Sequence, residues 1–216
     1  MNNRVINYYY NNDYLNKFKT NGDKLVGKYI IDKYNSFLVQ NLIKWYFGQD
    51  FFQNVPGSKE KRNGNLNKGL YIAGPCGTGK SLVLKVLKEF AKTHRQKFVI
   101  NGKEVGSMWN TYHAYELCNK FQNGENLSNL YTTPILQIDD LGAEPESCQY
   151  MGNKSNVLKE LLEIREDKGV ITLITSNIKP YDDQNTSIED KYGERLASRL
   201  NALNYFVLKG EDKRKL

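Results

Sequence analysis

The chain has 216 residues and carries 31 Lys and Arg against 24 Asp and Glu, a formal net charge of +7. This length allows one α/β domain with a short appendage and excludes two full domains. The positive excess favours an anionic partner, nucleic acid first, although lysines scattered over a solvated surface would give the same total. No apolar run approaches the ~20 residues of a membrane span and no signal segment opens the chain. The three cysteines (Cys76, Cys118 and Cys148) are odd in number and lack metal-ligand spacing, which fits a reducing cytoplasm. Together with the absence of a span and a signal segment, this predicts a soluble, cytoplasmic protein without a membrane partner.

The first part of the chain divides into an arm, a helix and a loop. Residues 1–25 are polar and aromatic without a sustained period, and we interpret them as an arm or a short helical piece ahead of one domain at 26–216. Apolar residues three or four apart predict an amphipathic leading helix over 30–47, with Gly48 as its stop. The stretch 54–68, rich in Pro, Gly and Asn, predicts a loop that leads into a core at 69–216.

From residue 69 onward, short β-rich runs alternate with helical patterns. The predicted strands are 70–73, 98–100, 135–139, 170–175 and 205–208, and the predicted helices are 81–93, 110–121, 154–168 and 190–203. Such alternation requires right-handed crossovers between parallel strands. The predicted fold class is therefore α/β, a three-layer sandwich around a five-stranded parallel sheet.

A phosphate-binding loop lies between the first of these strands and the first helix. Residues 74–81 fit G-x-x-x-x-G-K-[ST] at every required position. In this motif backbone N–H groups cradle phosphates, the lysine reaches the β and γ oxygens and the hydroxyl ligates Mg²⁺, while the following helix presents its positive end to the anion. The chain is thus predicted to bind a nucleoside triphosphate with Mg²⁺. The nucleotide-binding residues are Gly74, Pro75, Cys76, Gly77, Thr78, Gly79, Lys80, Ser81 and Leu82, with Ser81 as a metal ligand.

Two carboxylates end the predicted strand at 135–139. Ligands of open parallel sheets bind at the carboxyl ends of the strands, which is where Asp139 and Asp140 fall. Asp139 is predicted to hold Mg²⁺ through its water shell, and Asp140 to orient and deprotonate the attacking water. Gln137 interrupts this apolar strand without an evident reason.

Polar groups also follow the strand at 170–175. In P-loop ATPases with an extra strand between the nucleotide and acidic strands, such a tip reaches the γ-phosphate or the lytic water, and Asn177 is the candidate here. Further on, Arg195 and Arg199 share a helix face opposite an apolar stripe and are predicted to point outward. They are solvated, form a salt bridge to a residue such as Glu194, or reach the γ-phosphate of a neighbouring subunit, and the last interpretation implies an oligomer.

Together these motifs resemble the AAA+ ATPases of the DnaC/DnaI helicase-loader and IstB transposition-helper group. The resemblance covers about residues 66–216 and includes the runs 138–144, 174–177, 193–195, 198–200 and 209–214. It implies that Lys80 and Ser81 are Walker A residues, Asp139 and Asp140 the Walker B pair, Asn177 sensor 1, and Arg199 the arginine finger with Arg195 supporting it. Glu144 matches the pattern of the group but receives no role.

The resemblance implies hydrolysis of ATP to ADP and phosphate by a DNA-replication accessory protein. Such a protein would self-associate through Arg199 on single-stranded DNA and help to place a replicative helicase. Some 25 residues precede the leading helix, which leaves helicase docking open, and eight follow the last strand, so we expect no C-terminal helical lid. The alternatives are an IstB-like transposition-helper ATPase and a nucleotide-gated assembly factor with little turnover, since Asp140 stands where Glu is commoner.

The segment 109–121 has two interpretations. In related loaders this region touches single-stranded DNA, and its aromatic and basic side chains suit stacking and phosphate contacts. The same segment contains a core stripe at helical spacing. The aromatic and basic residues are Trp109, Tyr112, His113, Tyr115, Lys120 and Phe121; the stripe is Ala114, Leu117, Cys118 and Phe121. Neither His113 nor His94 is expected to form a metal site.

Overall fold

The computed structural model of the chain describes residues 11–182 and 186–213. The α-helices lie at Asn12–Val26 (α1), Ser36–Phe47 (α2), Lys80–His94 (α3), Ala114–Gln122 (α4), Val157–Asp167 (α5), Ile188–Tyr192 (α6) and Glu194–Asn201 (α7). The strands lie at Phe52–Asn54 (β1), Lys61–Asn63 (β2), Leu70–Ala73 (β3), Lys97–Ile100 (β4), Lys103–Gly106 (β5), Asn110–His113 (β6), Ile135–Leu141 (β7), Cys148–Tyr150 (β8), Asn153–Ser155 (β9), Ile171–Ser176 (β10) and Asn204–Val207 (β11).

The middle layer is a five-stranded parallel sheet in the order β11-β3-β10-β7-β6. Strand β10 therefore lies between β3, which precedes the phosphate loop, and β7, which ends in the two carboxylates. The carboxyl ends of these three strands meet at one edge of the sheet. The predicted α/β class and the five parallel strands are confirmed.

Helices cover both faces of the sheet. Leu70 and Ile72 of β3 pack among α1, α2 and α3, whereas Tyr71 and Ala73 pack against the residues of α4, α5, α6 and α7. Alternate side chains of a strand point to opposite faces, so a strand covered on both sides is apolar throughout. Within the described residues, no helix combines the length and the apolar character that a membrane span requires.

The second strand of the sheet differs from the predicted one. Residues 98–100 lie in β4, which forms an antiparallel hairpin with β5 outside the main sheet. The sheet instead takes β6, from within the helix predicted at 110–121, and α4 begins only at Ala114. The strand predicted at 98–100 exists, but it was wrongly placed in the main sheet, because Phe98 is buried against Trp45 of α2, at a ring-centroid distance of 5.7 Å, and not between strands of that sheet.

The register of β6 also explains the polar residue in β7. The indole Nε1 of Trp109 donates a 2.9 Å hydrogen bond to Oε1 of Gln137, and the hydroxyl of Thr111 lies 3.3 Å from the same oxygen. Gln137 is fully buried. The buried amide oxygen thus has the partners that it needs, and Gln137 joins β6 and its lead-in to β7.

Several predicted boundaries shift for local reasons. The leading helix begins at Ser36 because the carboxylate of Asp32 accepts the N–H groups of Tyr34 and Asn35 and folds 32–35 into a turn. It ends at Gly48 as predicted. The predicted loop 54–68 contains β2, which pairs with β1 in a hairpin, and the predicted helix 190–203 divides into α6 and α7.

The described part of the predicted arm is helical. Phe18 of α1 is fully buried and packs against Phe90 of α3, with ring centroids 5.7 Å apart and the rings tilted by 48°. Residues 12–26 therefore pack on the core of the domain, while residues 1–10 lie outside the described residues. The division into an arm at 1–25 and a domain at 26–216 stays a prediction.

A disulfide joins Cys118 of α4 to Cys148 of β8. The ring of Phe121 packs against that of Tyr150 beside it, with centroids 6.1 Å apart. The cysteine count did not predict this pairing. The third cysteine, Cys76, is exposed in the phosphate loop.

Candidate active site

The phosphate loop turns between β3 and α3 at the carboxyl edge of the sheet. Gly77 and Gly79 have φ angles of 76° and 95°, which glycine adopts without steric cost. Inside the loop, the buried hydroxyl of Thr78 donates a 2.9 Å hydrogen bond to the carbonyl of Pro75. Helix α3 begins at Lys80, so Ser81 and Leu82 fall in its first turn, and Leu82 packs on the core. The sequence thus predicted the loop and its flanking elements correctly.

Lys80 and Asn177 meet in this structure. The Lys80 ammonium group donates hydrogen bonds to Oδ1 of Asn177 at 2.7 Å and to the carbonyl of Pro75 at 2.8 Å. Asn177 directly follows β10, which pairs in parallel with β3. The proximity of the two groups therefore follows from strand order, because adjacent parallel strands bring their carboxyl ends together.

The carboxylate pair is held by a residue that the sequence analysis did not single out. The hydroxyl of Thr175 donates to Oδ1 of Asp139 at 2.5 Å and accepts the N–H of Asp140 at 3.0 Å. Asp139 is 1% exposed, and Asp140 has a φ of 55°, a left-handed value that turns the chain at the end of the strand. The available signal was a buried hydroxyl residue two positions before Asn177, at the end of a strand rich in Ile and Leu.

His113 lies beside the carboxylates, contrary to the sequence analysis. It ends β6 in register with Asp139, and its Nδ1 is 3.8 Å from Oδ2 of that residue. One ligand atom from each of His113, Asp139 and Asp140 falls within a mutual distance of 4.8 Å. His113 was misplaced because 110–113 was assigned to a helix.

These residues fit a nucleotide with Mg²⁺. Lys80 supplies a buried cation, the turn of the loop supplies backbone donors, and the start of α3 favours negative charge. Mg²⁺ prefers oxygen ligands such as the hydroxyl of Ser81 and the carboxylate of Asp139. Ser81 and Asp139 are the residues that would hold the ion.

Arg199 was predicted to point outward, but in the structure it does not. Its Nη1 donates to the carbonyl of Glu163 at 2.9 Å and lies 2.8 Å from a carboxylate oxygen of Asp167, so its side chain is only 19% exposed. Arg199 also lines a cavity of about 40 Å³ with Gly69 and Thr172, at the amino ends of β3 and β10. Thr172 and Asn177 are five residues apart on a strand, about 16 Å at roughly 3.3 Å per residue. Arg199 therefore lies far from the phosphate loop of its own chain.

Arg195 faces solvent, as predicted. Its side chain is 66% exposed, and its Nε is 3.9 Å from a carboxylate oxygen of Glu163. At that exposure the ion pair contributes little to stability.

Glu144 holds the segment after the acidic strand against α6. It is 3% exposed, its Oε2 accepts the N–H of Gly142 at 2.9 Å, and the Tyr192 hydroxyl donates to Oε1. Burial and the neighbouring Glu144 carboxylate raise the pKa of Tyr192 above its ordinary value. Lys191 closes the arrangement with a 2.6 Å hydrogen bond to the carbonyl of Glu144. The role of Glu144 is thus to shape this loop.

The C-terminal segment crosses the phosphate loop. The N–H of Lys213 donates to the carbonyl of Gly77 at 3.0 Å, and its ammonium group is 3.1 Å from the carboxylate of Asp32. The carboxylate of Asp212 packs so closely on Gly77 that a Cβ there would clash with it. In the described residues, no α-helix follows β11.

A family comparison agrees with this geometry. The model of the ATPase family associated with various cellular activities (AAA) matches residues 70–199, which is more than half of the chain. The chain belongs to the AAA family of ATPases. Within the matched range lie Lys80, Asp139, Asp140 and Asn177, the residues that meet at the carboxyl edge of the sheet.

Individual relatives refine the resemblance. The replicative helicase loader DnaI of Bacillus subtilis (strain 168) is 29% identical over 117 residues, which are 52% of this chain and 34% of that protein. The match spans about a third of that relative's length. A crystal structure of DnaI has a TM-score of 0.53 at 19% identity and covers 86% of this chain and 87% of its own. The structure of AMPPCP-bound DnaA from Aquifex aeolicus has the same TM-score at 15% identity, over 86% of this chain and 49% of its own.

These comparisons confirm that the chain is an AAA ATPase and show that it is similar to the helicase loader DnaI, as the motifs indicated. At identities below a quarter, the two solved structures support the fold alone.

Proposed function

We propose that this AAA protein hydrolyses ATP and, as an oligomer on single-stranded DNA, helps to place a replicative helicase in the cytoplasm. The observation that carries the catalytic part is the convergence of Lys80, Asn177 and the Asp139–Asp140 pair at one sheet edge. The similarity to a replicative helicase loader supports the biological part.

Each residue has a defined task in this proposal. Lys80 neutralises the β- and γ-phosphates, while Mg²⁺ held by Ser81 and Asp139 would draw charge from the same oxygens. Thr175 fixes the Asp139 carboxylate through a 2.5 Å hydrogen bond. Asp140 orients the attacking water and accepts its proton, and Asn177 contacts the γ-phosphate or that water.

Arg199 is proposed to act on a neighbouring subunit. Because it lies at the opposite edge of the sheet from its own phosphate loop, it cannot complete its own site. A guanidinium group supplied by a second chain would stabilise the charge of the transferring phosphoryl group. In this proposal the Arg199–Asp167 ion pair holds the guanidinium until the oligomer forms, and Arg195, also on α7, assists at the same interface.

The test compares nucleotide affinity with turnover. Lys80→Ala should abolish ATP binding measured with a fluorescent analogue, because the lysine meets phosphates. Asp140→Asn should keep ATP and Mg²⁺ binding but lose turnover, since an amide cannot accept the proton of the water. Equal loss of binding in Asp140→Asn would contradict its role as base, and wild-type affinity in Lys80→Ala would contradict the site itself.

A nucleotide-gated assembly factor with little turnover is the second candidate. It is favoured by Asp140, whose carboxylate is one methylene shorter than that of Glu and whose N–H is tied to Thr175. In this case ATP acts as a conformational ligand. Steady-state ATPase rates with and without single-stranded DNA decide between the two. A switch would assemble when ATP binds, and it would release phosphate no faster than it assembles.

A further inference from the structure

The segment predicted to touch DNA is only partly open to solvent, with His113 and Tyr115 exposed and its core stripe buried. In α4, Ala114, Leu117 and Cys118 are buried, and the ammonium group of Lys120 is paired with Glu125 at 2.8 Å. Trp109 is also buried. The core-stripe interpretation therefore holds for Ala114, Leu117 and Cys118, while the DNA interpretation of 109–121 stays a prediction.

A basic cleft lies elsewhere, on the β11 edge of the sheet. It has a volume of about 850 Å³ and is built by three parts of the chain: the β1–β2 hairpin, the segment 179–182 after β10, and 201–209 around β11. Gln53 and Asn54 of the hairpin accept the N–H groups of Tyr205 and Val207, which covers this edge strand and forms the floor. The phosphate loop and the carboxylate pair do not line the cleft.

The lining is strongly positive. Among the residues that the structure describes, it contains the cations Lys59, Arg62, Lys179 and Lys209 against one carboxylate, Asp182. Asp182 is 2.7 Å from the ammonium group of Lys179, so it offsets one of these four charges. The side chains of the four cations are exposed to solvent. A cleft of one sign concentrates field lines and attracts ligands of the opposite sign.

The cleft also presents an aromatic ring. Tyr181 is 39% exposed on its wall, and Tyr205 closes its floor. Cations along a groove combined with an exposed ring are what single-stranded nucleic acids require, because phosphates need charge and unpaired bases need a flat apolar surface. An acidic protein surface would use the cations but has no need of the ring.

We propose that this cleft, lined by Lys59, Arg62, Lys179, Tyr181 and Lys209, binds single-stranded nucleic acid. The proposal deepens the proposed function and rests on it for the presence of DNA. Lys179 and Tyr181 follow Asn177 by two and four residues. Occupancy of the cleft is thus linked through a short segment to the residue that contacts Lys80.

The experiment measures the binding of a labelled oligothymidylate of about 20 nucleotides by fluorescence anisotropy, a length that exceeds the site sizes of most single-strand binding folds. The cleft variant is Lys59→Ala/Lys179→Ala/Lys209→Ala in the full chain. The matched control is Lys24→Ala/Lys28→Ala/Lys103→Ala, which removes the same charge from exposed lysines outside the cleft. Nucleotide affinity and thermal unfolding are followed in both variants and should match the wild type.

The cleft variant should bind the oligonucleotide at least tenfold more weakly at about 100 mM salt. Its slope of log affinity against log salt concentration should be smaller in magnitude by about 2, because each lost single-strand phosphate contact removes roughly 0.7. The control should remain within about threefold of wild type. Tyr181→Ala should weaken binding and Tyr181→Phe should retain it, because stacking needs the ring and not the hydroxyl.

The outcomes separate the cleft from the function. If the wild type binds and both triple variants weaken alike, the cleft assignment is overturned while the proposed function stands. If the wild type with ATP binds no oligonucleotide at low salt, the DNA part of the proposed function fails first. If the cleft variant keeps DNA affinity but loses self-association, the cleft takes an acidic surface of a second copy and the proposal is wrong. Unchanged affinity in Tyr181→Ala would also overturn it, since charge alone would then explain binding.

Discussion

The ammonium group of Lys80 lies 2.7 Å from Oδ1 of Asn177, so one hydrogen bond joins the phosphate loop to the end of β10. Lys80 is 5% exposed, and its second bond goes to the carbonyl of Pro75. When phosphates bind the loop, they would compete with Asn177 for the ammonium group. The nucleotide state is thereby coupled to the segment that follows Asn177.

Asn177→Ala should bind ATP within about tenfold of wild type but lose on the order of 10² or more in kcat, the usual cost of one donor aimed at a developing charge. The measurement is single-turnover hydrolysis beside equilibrium binding. Asn67→Ala, on an exposed loop before β3, serves as control and should change neither quantity. A large loss of affinity with normal kcat would make Asn177 a binding residue only.

Arg199→Ala should bind ATP nearly normally and hydrolyse it about 10³-fold more slowly, the lower range for arginine fingers in GTPases. Mixing it with Asp140→Asn should restore activity, because an intact Asp140 then faces an intact Arg199 across an interface. Asp167→Asn is the control, since it removes one of the carboxylates paired with Arg199 in its own chain and leaves the guanidinium in place. If mixtures stay inactive although both variants assemble with wild type, Arg199 only braces α7 against α5.

Gly77→Ala should be more destabilising than Gly57→Ala. Both glycines have positive φ, 76° and 73°, but a Cβ at Gly57 meets nothing within 4 Å, whereas one at Gly77 clashes with the Asp212 carboxylate. The shared strain costs on the order of 1–2 kcal/mol. The excess at Gly77 should disappear when Asp212→Ala is added, a coupling of roughly 0.5–3 kcal/mol in a double-mutant cycle of denaturant unfolding. Equal losses at the two glycines would show that the tail does not rest on the loop.

Arg165→Met should destabilise the fold by about 3–5 kcal/mol, because it leaves several buried acceptors unpaired. The guanidinium group is fully buried and donates to Thr172 Oγ1 and to the carbonyls of Leu130, Thr133 and Ile171. Burial lowers its pKa to about 10, which leaves it charged at neutral pH. Arg195→Met, at an exposed site on α7, should cost about 0.5 kcal/mol or less. Similar unfolding midpoints for the two variants would contradict this role of Arg165.

The sequence alone determined the elements whose signals are local. The phosphate loop needs glycines with positive φ and a lysine at a fixed offset, so Gly77, Gly79 and Lys80 could be identified from spacing. The alternation of apolar runs with helical patterns predicted the α/β class. Asp139, Asp140 and Asn177 were found because they end apolar strands, and in a parallel sheet those ends share one edge.

The tertiary structure decided what depends on partners distant in the chain. Residues 98–100 and residues 110–113 both form short, β-rich runs. The tertiary structure distinguishes them, because 110–113 pairs with β7 whereas Phe98 is buried under α2. Because 110–113, and not 98–100, pairs with β7, His113 lies beside Asp139. Thr175, Glu144 and Arg165 have no local pattern that states their roles, because each is defined by hydrogen bonds to residues on other elements. The basic cleft was hidden for the same reason: its cations are up to about 150 residues apart in the chain and share a surface only after folding.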